Sequence, residues 1–241
     1  MSPITTAFVL AAGLGTRMRP LTDRVPKPLV PLAGRALIDH VLDRLAAAGI
    51  TRAVVNVHFM ADAIERHLAG RRTPQIVISD EREALLDTGG GVVKALATLG
   101  AGPFLVHNSD SVWIERRASN LARLMDAFDE ERMDSLLLLA ERKASLGYDG
   151  RGDFSLDHEH RLARRPKDAE TDLVFTGVSI LHPRLLSDAP AGAFSLNMVW
   201  DRAIAERRLY GVVLDGEWMH VGAPEAVAAA ERRLAEEARH G

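Results

Sequence analysis

A glycine-rich loop with basic side chains follows the first apolar run of the chain. The run Thr6–Ala12 (TAFVLAA) stops at Gly13, and Gly15 comes two residues later. Small residues allow backbone N–H groups to approach an anion, and the turn that follows can direct its dipole at the same place. Arg17 and Arg19 add positive charge. Taken alone, such a loop is equally consistent with a tight turn, and it matches neither the dinucleotide fingerprint nor the P-loop.

A lysine between two prolines lies in the same connection. The prolines of Pro26-Lys27-Pro28 stiffen the backbone around the lysine. Each basic residue by itself is consistent with a solvated surface charge. The combination of the glycine loop with Arg17 and Lys27 favours a phosphate-binding site, because the fold itself does not require such a cluster.

An acidic residue follows the fourth predicted strand. Asp110 comes shortly after the apolar run Phe104–His107, so it is expected at the carboxyl end of a central strand. Ligands bind at that edge of open α/β sheets. A carboxylate there can bind Mg²⁺ through a hard oxygen while the metal keeps water and substrate oxygens. The alternative is an Asp that caps the next turn.

Further glycines and polar residues indicate contacts with flat or hydroxylated ligands. Three consecutive glycines, Gly89–Gly91, permit a base or ribose to approach the backbone, although a flexible helix entry has the same composition. Asp153 is a candidate acceptor for sugar hydroxyl groups, and Gly177 lets a ring approach a strand. Both residue types also have ordinary structural uses. Asn197 and Trp200, on a predicted helix, either line the same pocket or pack.

The elements that must position these residues alternate along the chain. Predicted strands cover Thr6–Ala12, Ala53–Val57, Ile76–Ser79, Phe104–His107, Ser135–Ala140, Asp172–Leu181, Leu209–Leu214 and Trp218–Val221. Predicted helices cover Leu37–Ala48, Ala61–Leu68, Gly91–Leu99, Ala118–Asp129, Phe194–Ala205 and Glu225–Ala238. This alternation predicts an α/β fold with a Rossmann-like, mainly parallel mixed sheet and helices on both faces. The last two strands are expected to pair with each other, and residues 148–172 to form hairpins or loops.

Composition excludes several classes of function. The 241 residues include 30 Lys and Arg against 33 Asp and Glu, a net charge of −3, which gives no reason to expect nucleic acid as a partner. The chain has no cysteine, so disulfides, zinc–thiolate sites and cysteine nucleophiles are excluded. No apolar stretch approaches the roughly 18 residues that span a membrane. We expect a cytoplasmic protein without a membrane partner.

The motifs resemble a known family. The segment from Ala11 to Thr22 (AAGLGTRMRPLT), followed by Pro26-Lys27-Pro28, closely resembles the N-terminal signature of the sugar-1-phosphate nucleotidyltransferases, and the resemblance extends over essentially the whole chain. It implies a GT-A-like fold, with a nucleoside triphosphate and a sugar 1-phosphate as substrates and pyrophosphate as the leaving group. The implied catalytic residues are Arg17 on the β- and γ-phosphates, Lys27 on the α-phosphate and Asp110 on a metal.

The resemblance also implies contacts with each substrate. For the nucleotide these are Leu10, Ala11, Ala12, Gly13, Gly15, Thr16, Arg17, Lys27, Glu81, Gly89, Gly90 and Asn108. For the sugar phosphate they are Asp153, Thr176, Gly177 and Asn197. The implied arrangement is a single domain over 1–241, with a nucleotide-binding half (1–145) and a sugar-phosphate-binding half (146–241).

The metal site departs from the family pattern in two places. Ser109 precedes Asp110 where the family commonly has Gly, which leaves the carboxylate available. His220 in Trp218-Met219-His220-Val221-Gly222 takes the place of a second acidic ligand. We expect Mg²⁺ or another divalent cation, with Asp110 and His220 as its protein ligands. His220 alternatively holds a metal-bound water or hydrogen-bonds a phosphate, because imidazole is a poorer Mg²⁺ ligand than carboxylate.

The choice of substrates rests on finer similarities. The segments 88–91 and 150–154 most resemble family members that transfer uridylyl from UTP to N-acetylmuramate 1-phosphate in cell-wall recycling. The alternative within the family is guanylyl transfer to mannose 1-phosphate. An alternative of another class is a nucleotide-sugar-binding regulatory module without catalysis, because His220 replaces an acid. A homo-oligomer stays open.

Overall fold

The computed structural model describes residues 3–240 and contains strands and helices in alternation. The strands are β1 (Thr6–Leu10), β2 (Pro31–Leu32), β3 (Arg35–Ala36), β4 (Arg52–Val57), β5 (Gln75–Asp80), β6 (Phe104–Asn108), β7 (Ser111–Glu115), β8 (Ser135–Glu141), β9 (Phe154–Leu156), β10 (Leu162–Arg164), β11 (Leu173–Leu181), β12 (Leu209–Val213) and β13 (Gly216–His220). The helices are α1 (Leu37–Ala47), α2 (Ala61–Leu68), α3 (Asp87–Leu99), α4 (Asn120–Ala127), α5 (Leu196–Ala205) and α6 (Pro224–His240).

A nine-stranded mixed sheet forms the centre of the molecule. Its strands run in the order β10-β9-β11-β6-β1-β4-β5, and β8 and β12 continue from β11. The strands β6, β1, β4 and β5 are parallel, whereas β11 runs antiparallel to both β6 and β8. The predicted mixed α/β sheet with a parallel core is therefore confirmed. Because β11 pairs directly with β6, one sheet carries the residues of both predicted halves.

Helices cover both faces of this sheet. Alternate strand residues point to opposite sides, so Val9 packs with α1, α2 and α4 in one cluster, while Phe8 packs with α3 and α5 in the other. The apolar face of α1 is formed by Ile38, Val41, Leu42 and Leu45, all fully buried. The parallel strands β1, β4 and β6 are buried from both sides, which explains why they appear in the sequence as short continuous apolar runs.

The last two strands do not pair with each other, so that prediction is wrong. β12 extends the main sheet by lying parallel to β8, and β13 pairs antiparallel with β7, a strand that was not predicted. Asn120 redirects the chain between them, since its Oδ1 accepts from the backbone N–H of Asp215 at 2.8 Å and its Nδ2 donates to the Asp215 carbonyl at 3.1 Å. The β7–β13 ribbon packs with α6 in a third apolar cluster that includes Met219 and Ala230.

The carboxyl ends of the parallel strands and one irregularity in β11 shape the edge of the sheet. The pairing register of β11 with β8 shifts between Phe175 and Val178, so Thr176 and Gly177 form a bulge.

No helix within residues 3–240 combines the length and the apolar character that a membrane crossing requires.

Candidate active site

Three adjoining cavities lie along the carboxyl edge of the parallel strands. The loop cavity, about 530 Å³, is bounded by the glycine-rich loop after β1. The junction cavity, about 240 Å³, lies between β6, β11 and β13. The α5 cavity, about 210 Å³, lies between β11 and α5. Asn108, at the end of β6, lines all three cavities. A ligand with two parts can therefore extend from one cavity into the next past a single side chain.

The loop cavity contains most of the predicted phosphate-binding residues. Backbone atoms of the loop and four charged residues border the same space. Its lining residues are Leu10, Ala11, Ala12, Gly13, Arg17, Lys27, Pro28, Asn56, Leu85, Asp87, Thr88, Asn108, Ser109 and Asp110. Gly15 and Thr16 are not among them. Gly15 instead shapes the loop, with φ of 64° and a carbonyl that accepts from Thr22 Oγ1 at 2.8 Å.

Asn56, which the sequence reasoning missed, holds the first residues of the loop. This buried side chain at the end of β4 accepts from the backbone N–H groups of Ala11 at 2.7 Å and Ala12 at 3.3 Å. Its Nδ2 donates to Glu81 Oε1 at 2.8 Å, and Glu81 Oε2 accepts from the Leu86 N–H at 3.3 Å. The one available sequence signal was a polar Asn inside an otherwise apolar strand.

Glu81 lies behind the cavity wall. It is 1% exposed and is absent from the residues that line the loop cavity. This placement corrects the expectation of a direct base contact, because a buried carboxylate bonded to Asn56 is not presented to a ligand. The residue instead connects β5 with the loop through Asn56.

The triple glycine likewise has a different role from the expected one. These residues lie inside α3, which begins at Asp87 and not at Gly91. The N–H groups of Gly89 and Gly90 both donate to the Phe194 carbonyl, at 2.8 and 3.2 Å. A Cβ on Gly89 would lie 2.3 Å from the Phe194 ring. The glycines therefore allow the segment before α5 to pack on α3, which corrects the prediction that Gly89 and Gly90 contact the base.

Lys27 and Asp110 form an ion pair at the floor of the loop cavity. Their side chains are only 15% and 17% exposed, and Lys27 Nζ donates to Asp110 Oδ2. Burial would raise the pKa of Asp110, but the charge and hydrogen bond of Lys27 outweigh burial and hold that pKa below its ordinary value. Asp110 is therefore an anion at neutral pH, and Lys27 is a cation held in position.

The junction cavity brings Asp110 and His220 together with Arg17. Asp110 and Arg17 line both this cavity and the loop cavity, and His220 enters it from the end of β13. Burial lowers the pKa of His220, and the positive charges of Lys27 and Arg17 lower it further against the opposing effect of Asp110. The imidazole is therefore neutral at pH 7 and has a nitrogen available as a ligand or hydrogen-bond partner. Tyr148, also missed in the sequence, lines this cavity.

These residues fit a divalent cation that is mostly coordinated by substrate and water. Asp110 offers a hard carboxylate oxygen, and His220 offers a neutral nitrogen in the same cavity. Within residues 3–240 no group of three or more His, Cys, Asp or Glu side chains is arranged to hold a metal. Mg²⁺ commonly binds through one or two carboxylates plus phosphate oxygens and water, so the donor set does not exclude it.

The predicted sugar-phosphate residues lie around the bulge of β11. Asp153, Gly177 and Asn197 line the α5 cavity, and Thr176 lines the junction cavity. The φ of Gly177 is +86°, and a Cβ there would lie 2.6 Å from Asn108 Nδ2, so this position requires glycine. Asp153 Oδ2 accepts from the Phe175 N–H at 2.9 Å, which fixes the carboxylate at the rim. The rings of Phe175 and Trp200 pack edge to face at 4.9 Å and form an apolar wall.

A family model described as "Nucleotidyl transferase" matches residues 6–237. The chain therefore belongs to the nucleotidyl transferase family and is an enzyme of the sugar-1-phosphate nucleotidyltransferase type.

Two curated relatives indicate a particular branch of this family. The chain is 51% identical to the N-acetylmuramate alpha-1-phosphate uridylyltransferase of Caulobacter vibrioides, over 95% of this chain and 97% of the relative. It is 35% identical to the enzyme of the same name from Neisseria meningitidis, over 90% of this chain and 92% of the relative. A mannose-1-phosphate guanylyltransferase of Mycobacterium tuberculosis is 29% identical, and this chain covers 61% of its length.

Solved structures share the fold at low sequence identity. The UDP-glucose pyrophosphorylase of Acinetobacter baumannii matches with a TM-score of 0.79 at 18% identity, covering 95% of this chain and 93% of that one. The inositol-1-phosphate CTP transferase of T. maritima matches with a TM-score of 0.77 at 19% identity, covering 97% of both chains.

Proposed function

We propose that this enzyme transfers uridylyl from UTP to N-acetylmuramate α-1-phosphate and releases pyrophosphate. The observation that carries the reaction type is the convergence of Arg17, Lys27 and Asp110 on one cavity that Asn108 joins to a second, acceptor-sized cavity. The choice of substrates is supported by the 51% identity with the Caulobacter vibrioides enzyme over nearly the full length of both chains.

The nucleoside triphosphate is proposed to bind in the loop cavity. The backbone of residues 11–13 borders the triphosphate, and Asn56 keeps that backbone in place through its bonds to Ala11 and Ala12. Arg17 contacts the β- and γ-phosphates. The uracil and ribose lie toward Leu85 and Thr88 at the far wall of the cavity.

The sugar phosphate is proposed to bind in the α5 cavity, with its phosphate directed toward the junction cavity. Asp153 accepts from a sugar hydroxyl, and Asn197 and the edge of Gly177 border the ring. This arrangement directs the phosphate oxygen of the acceptor past Asn108 toward the α-phosphate of the nucleotide. The acceptor oxygen is already anionic, so the reaction needs no strong general base.

The chemical task of the site is to join two polyanions and stabilise the charge of the transition state. Lys27 turns from Asp110 to the α-phosphoryl oxygens once the nucleotide is bound, and Arg17 stabilises the departing pyrophosphate. Asp110 and His220 would hold a divalent cation, which when bound would supply Lewis-acid stabilisation of the phosphoryl oxygens. Neutral His220 adds no positive charge of its own.

The proposed acceptor has consequences for cellular role. Because N-acetylmuramate is a sugar of the bacterial cell wall, the proposal implies a step in peptidoglycan recycling. Its nucleotide donor implies a cytoplasmic reaction.

A turnover assay with two nucleotides and two acceptors tests the proposal. Pyrophosphate release is measured with UTP or GTP against N-acetylmuramate 1-phosphate or mannose 1-phosphate, with and without Mg²⁺. We expect the uridylyl pair to give the highest kcat/KM and to need the metal. A preference for GTP and mannose 1-phosphate would establish the alternative that the relatives at 29% identity represent.

A Lys27→Met variant separates catalysis from binding alone. Loss of one preorganised cation from a transition state costs about 2.7–4 kcal/mol, or roughly 10²–10³ in rate. We therefore expect single-turnover transfer to fall by about that factor while UTP still binds. Arg19→Met is the matched control, since Arg19 is exposed and pairs only at the surface with Asp23. If the wild-type enzyme releases no pyrophosphate with any of the four pairs, the proposed substrates are wrong.

A further inference from the structure

Two buried polar groups of the α5 cavity have no hydrogen-bond partner among the described residues. These are the indole Nε1 of Trp200 and the hydroxyl of Ser179, in side chains that are 4% and 0% exposed. Both residues line the cavity. A buried donor left unsatisfied costs about 1–3 kcal/mol, and such groups are uncommon in folded proteins. Because an indole N–H only donates, a ligand that gives Trp200 a hydrogen-bond partner must carry an acceptor such as an oxygen atom.

Arg164 is the one cation among the residues that line this cavity. It lies at the end of β10 and is held on two sides, because its Nε donates to Asp201 Oδ1 at 2.7 Å and its Nη2 donates to the Asn197 carbonyl at 3.1 Å. Its guanidinium also lies over the ring of Phe154, at 4.7 Å from the centroid. The group is therefore ordered in advance, and neither of these bonds uses Nη1.

The surrounding charges leave Arg164 available to an anion. Asp201 is 60% exposed in its side chain and lies on the outer side of α5, so water screens the charge of this pair. Asp153 is the one carboxylate among the residues that line the cavity, and its Oδ2 is already occupied by the hydrogen bond from the Phe175 N–H. The open hydrogen-bonding groups of the cavity thus include a cation and two neutral donors, beside the Asp153 carboxylate that is proposed to accept from a sugar hydroxyl.

We propose that Arg164 is a specificity-determining residue that selects acceptor sugars with a carboxylate substituent. This inference rests on the proposed function, in which the acceptor sugar occupies the α5 cavity. N-acetylmuramate differs from N-acetylglucosamine by an ether-linked lactate, whose carboxylate can accept two hydrogen bonds from a guanidinium. Trp200 Nε1 and the Ser179 hydroxyl then donate hydrogen bonds to other oxygen atoms of the same sugar. A neutral sugar leaves the bonding capacity of Arg164 unused.

Binding of sugar nucleotides tests Arg164 without requiring turnover. Isothermal titration gives the Kd of UDP-N-acetylmuramate and UDP-N-acetylglucosamine for the wild-type chain, Arg164→Gln and Arg164→Lys. We expect the wild-type chain to bind the carboxylate-bearing ligand at least tenfold more tightly, which corresponds to about 1.4 kcal/mol. Arg164→Gln abolishes the preference and leaves the Kd of UDP-N-acetylglucosamine within twofold, whereas Arg164→Lys retains part of it. Arg151→Gln is the control, because this exposed arginine lies near the same hairpin but outside the cavity.

Three results would overturn the inference. They are equal wild-type affinity for the two ligands, no binding of either, or an Arg164→Gln variant that weakens both to the same extent, as a merely structural role predicts. Failure of the proposed function is seen separately, as absence of pyrophosphate release from UTP and N-acetylmuramate 1-phosphate.

Discussion

Replacement of Asn56 by leucine should displace the glycine-rich loop, although no charged residue is replaced. The substitution keeps the number and branching of the side-chain heavy atoms but removes the acceptor for the Ala11 and Ala12 N–H groups and the donor to Glu81. Three buried hydrogen bonds are lost, and the buried carboxylate of Glu81 keeps only its bond from the N–H of Leu86. At about 1 kcal/mol for each lost bond, the free energy of unfolding should fall by about 3 kcal/mol.

Asn56→Leu should reduce activity as well as stability. The loop backbone borders the triphosphate, and a displacement of about 1 Å can cost roughly 10²-fold in rate. We expect kcat/KM for UTP to fall by about that factor, measured by pyrophosphate release, while the melting temperature falls by about 6–12 °C, at roughly 2–4 °C per kcal/mol for a chain of this size. Glu81→Gln is the matched variant. Its amide oxygen can still accept from Asn56, so activity should stay within a few-fold of wild type.

Either of two results would refute this reasoning. Wild-type kcat/KM in Asn56→Leu would show that the loop does not depend on this side chain. A Glu81→Gln variant that loses activity as severely as Asn56→Leu, with unchanged stability, would mean that Glu81 contacts the nucleotide after all.

Three further predictions follow from the geometry. Gly177→Ala should destabilise the fold by about 2 kcal/mol in urea unfolding, because φ is +86° and the new Cβ meets Asn108, and an unchanged midpoint would contradict this. Burial lowers the pKa of His107 to about 4, so as pH falls below about 6.5 the unfolded chain takes up this proton before the folded chain does. Between pH 6.5 and 4, the free energy of unfolding of the wild type should therefore fall by up to about 3 kcal/mol more than that of His107→Gln, as measured by urea titration. His220→Asp should lower the Mg²⁺ concentration that gives half-maximal activity, since it places a second carboxylate beside Asp110, and a higher requirement would show that His220 does not face the metal.

The sequence predicted those parts of the candidate site whose signals are local in the chain. Arg17 and Lys27 belong to a single βα connection, and Asp110 follows a buried strand directly. The carboxyl edge of a parallel sheet gathers such positions without further information. All three residues line the loop cavity.

The remaining features depend on contacts between distant segments. Asn56 has no local motif, because its partners are backbone groups 44 and 45 residues away. The glycines of α3 were misinterpreted since the sequence could not show Phe194 packed on them. The partners of β12 and β13 were wrong because a short connection favours a hairpin, whereas Asn120 redirects the chain there.

The direct pairing of β6 with β11 has a consequence for the geometry of the two cavities. Val9, His107 and Val178 occupy facing positions on three adjacent strands, so the loop cavity and the α5 cavity are bounded by one hydrogen-bonded sheet. In the proposed reaction, the separation between the two substrates is therefore set by strand register. Side chains of α5 and of the β9–β10 hairpin could be replaced to admit other acceptors while the sheet keeps the two cavities in the same alignment.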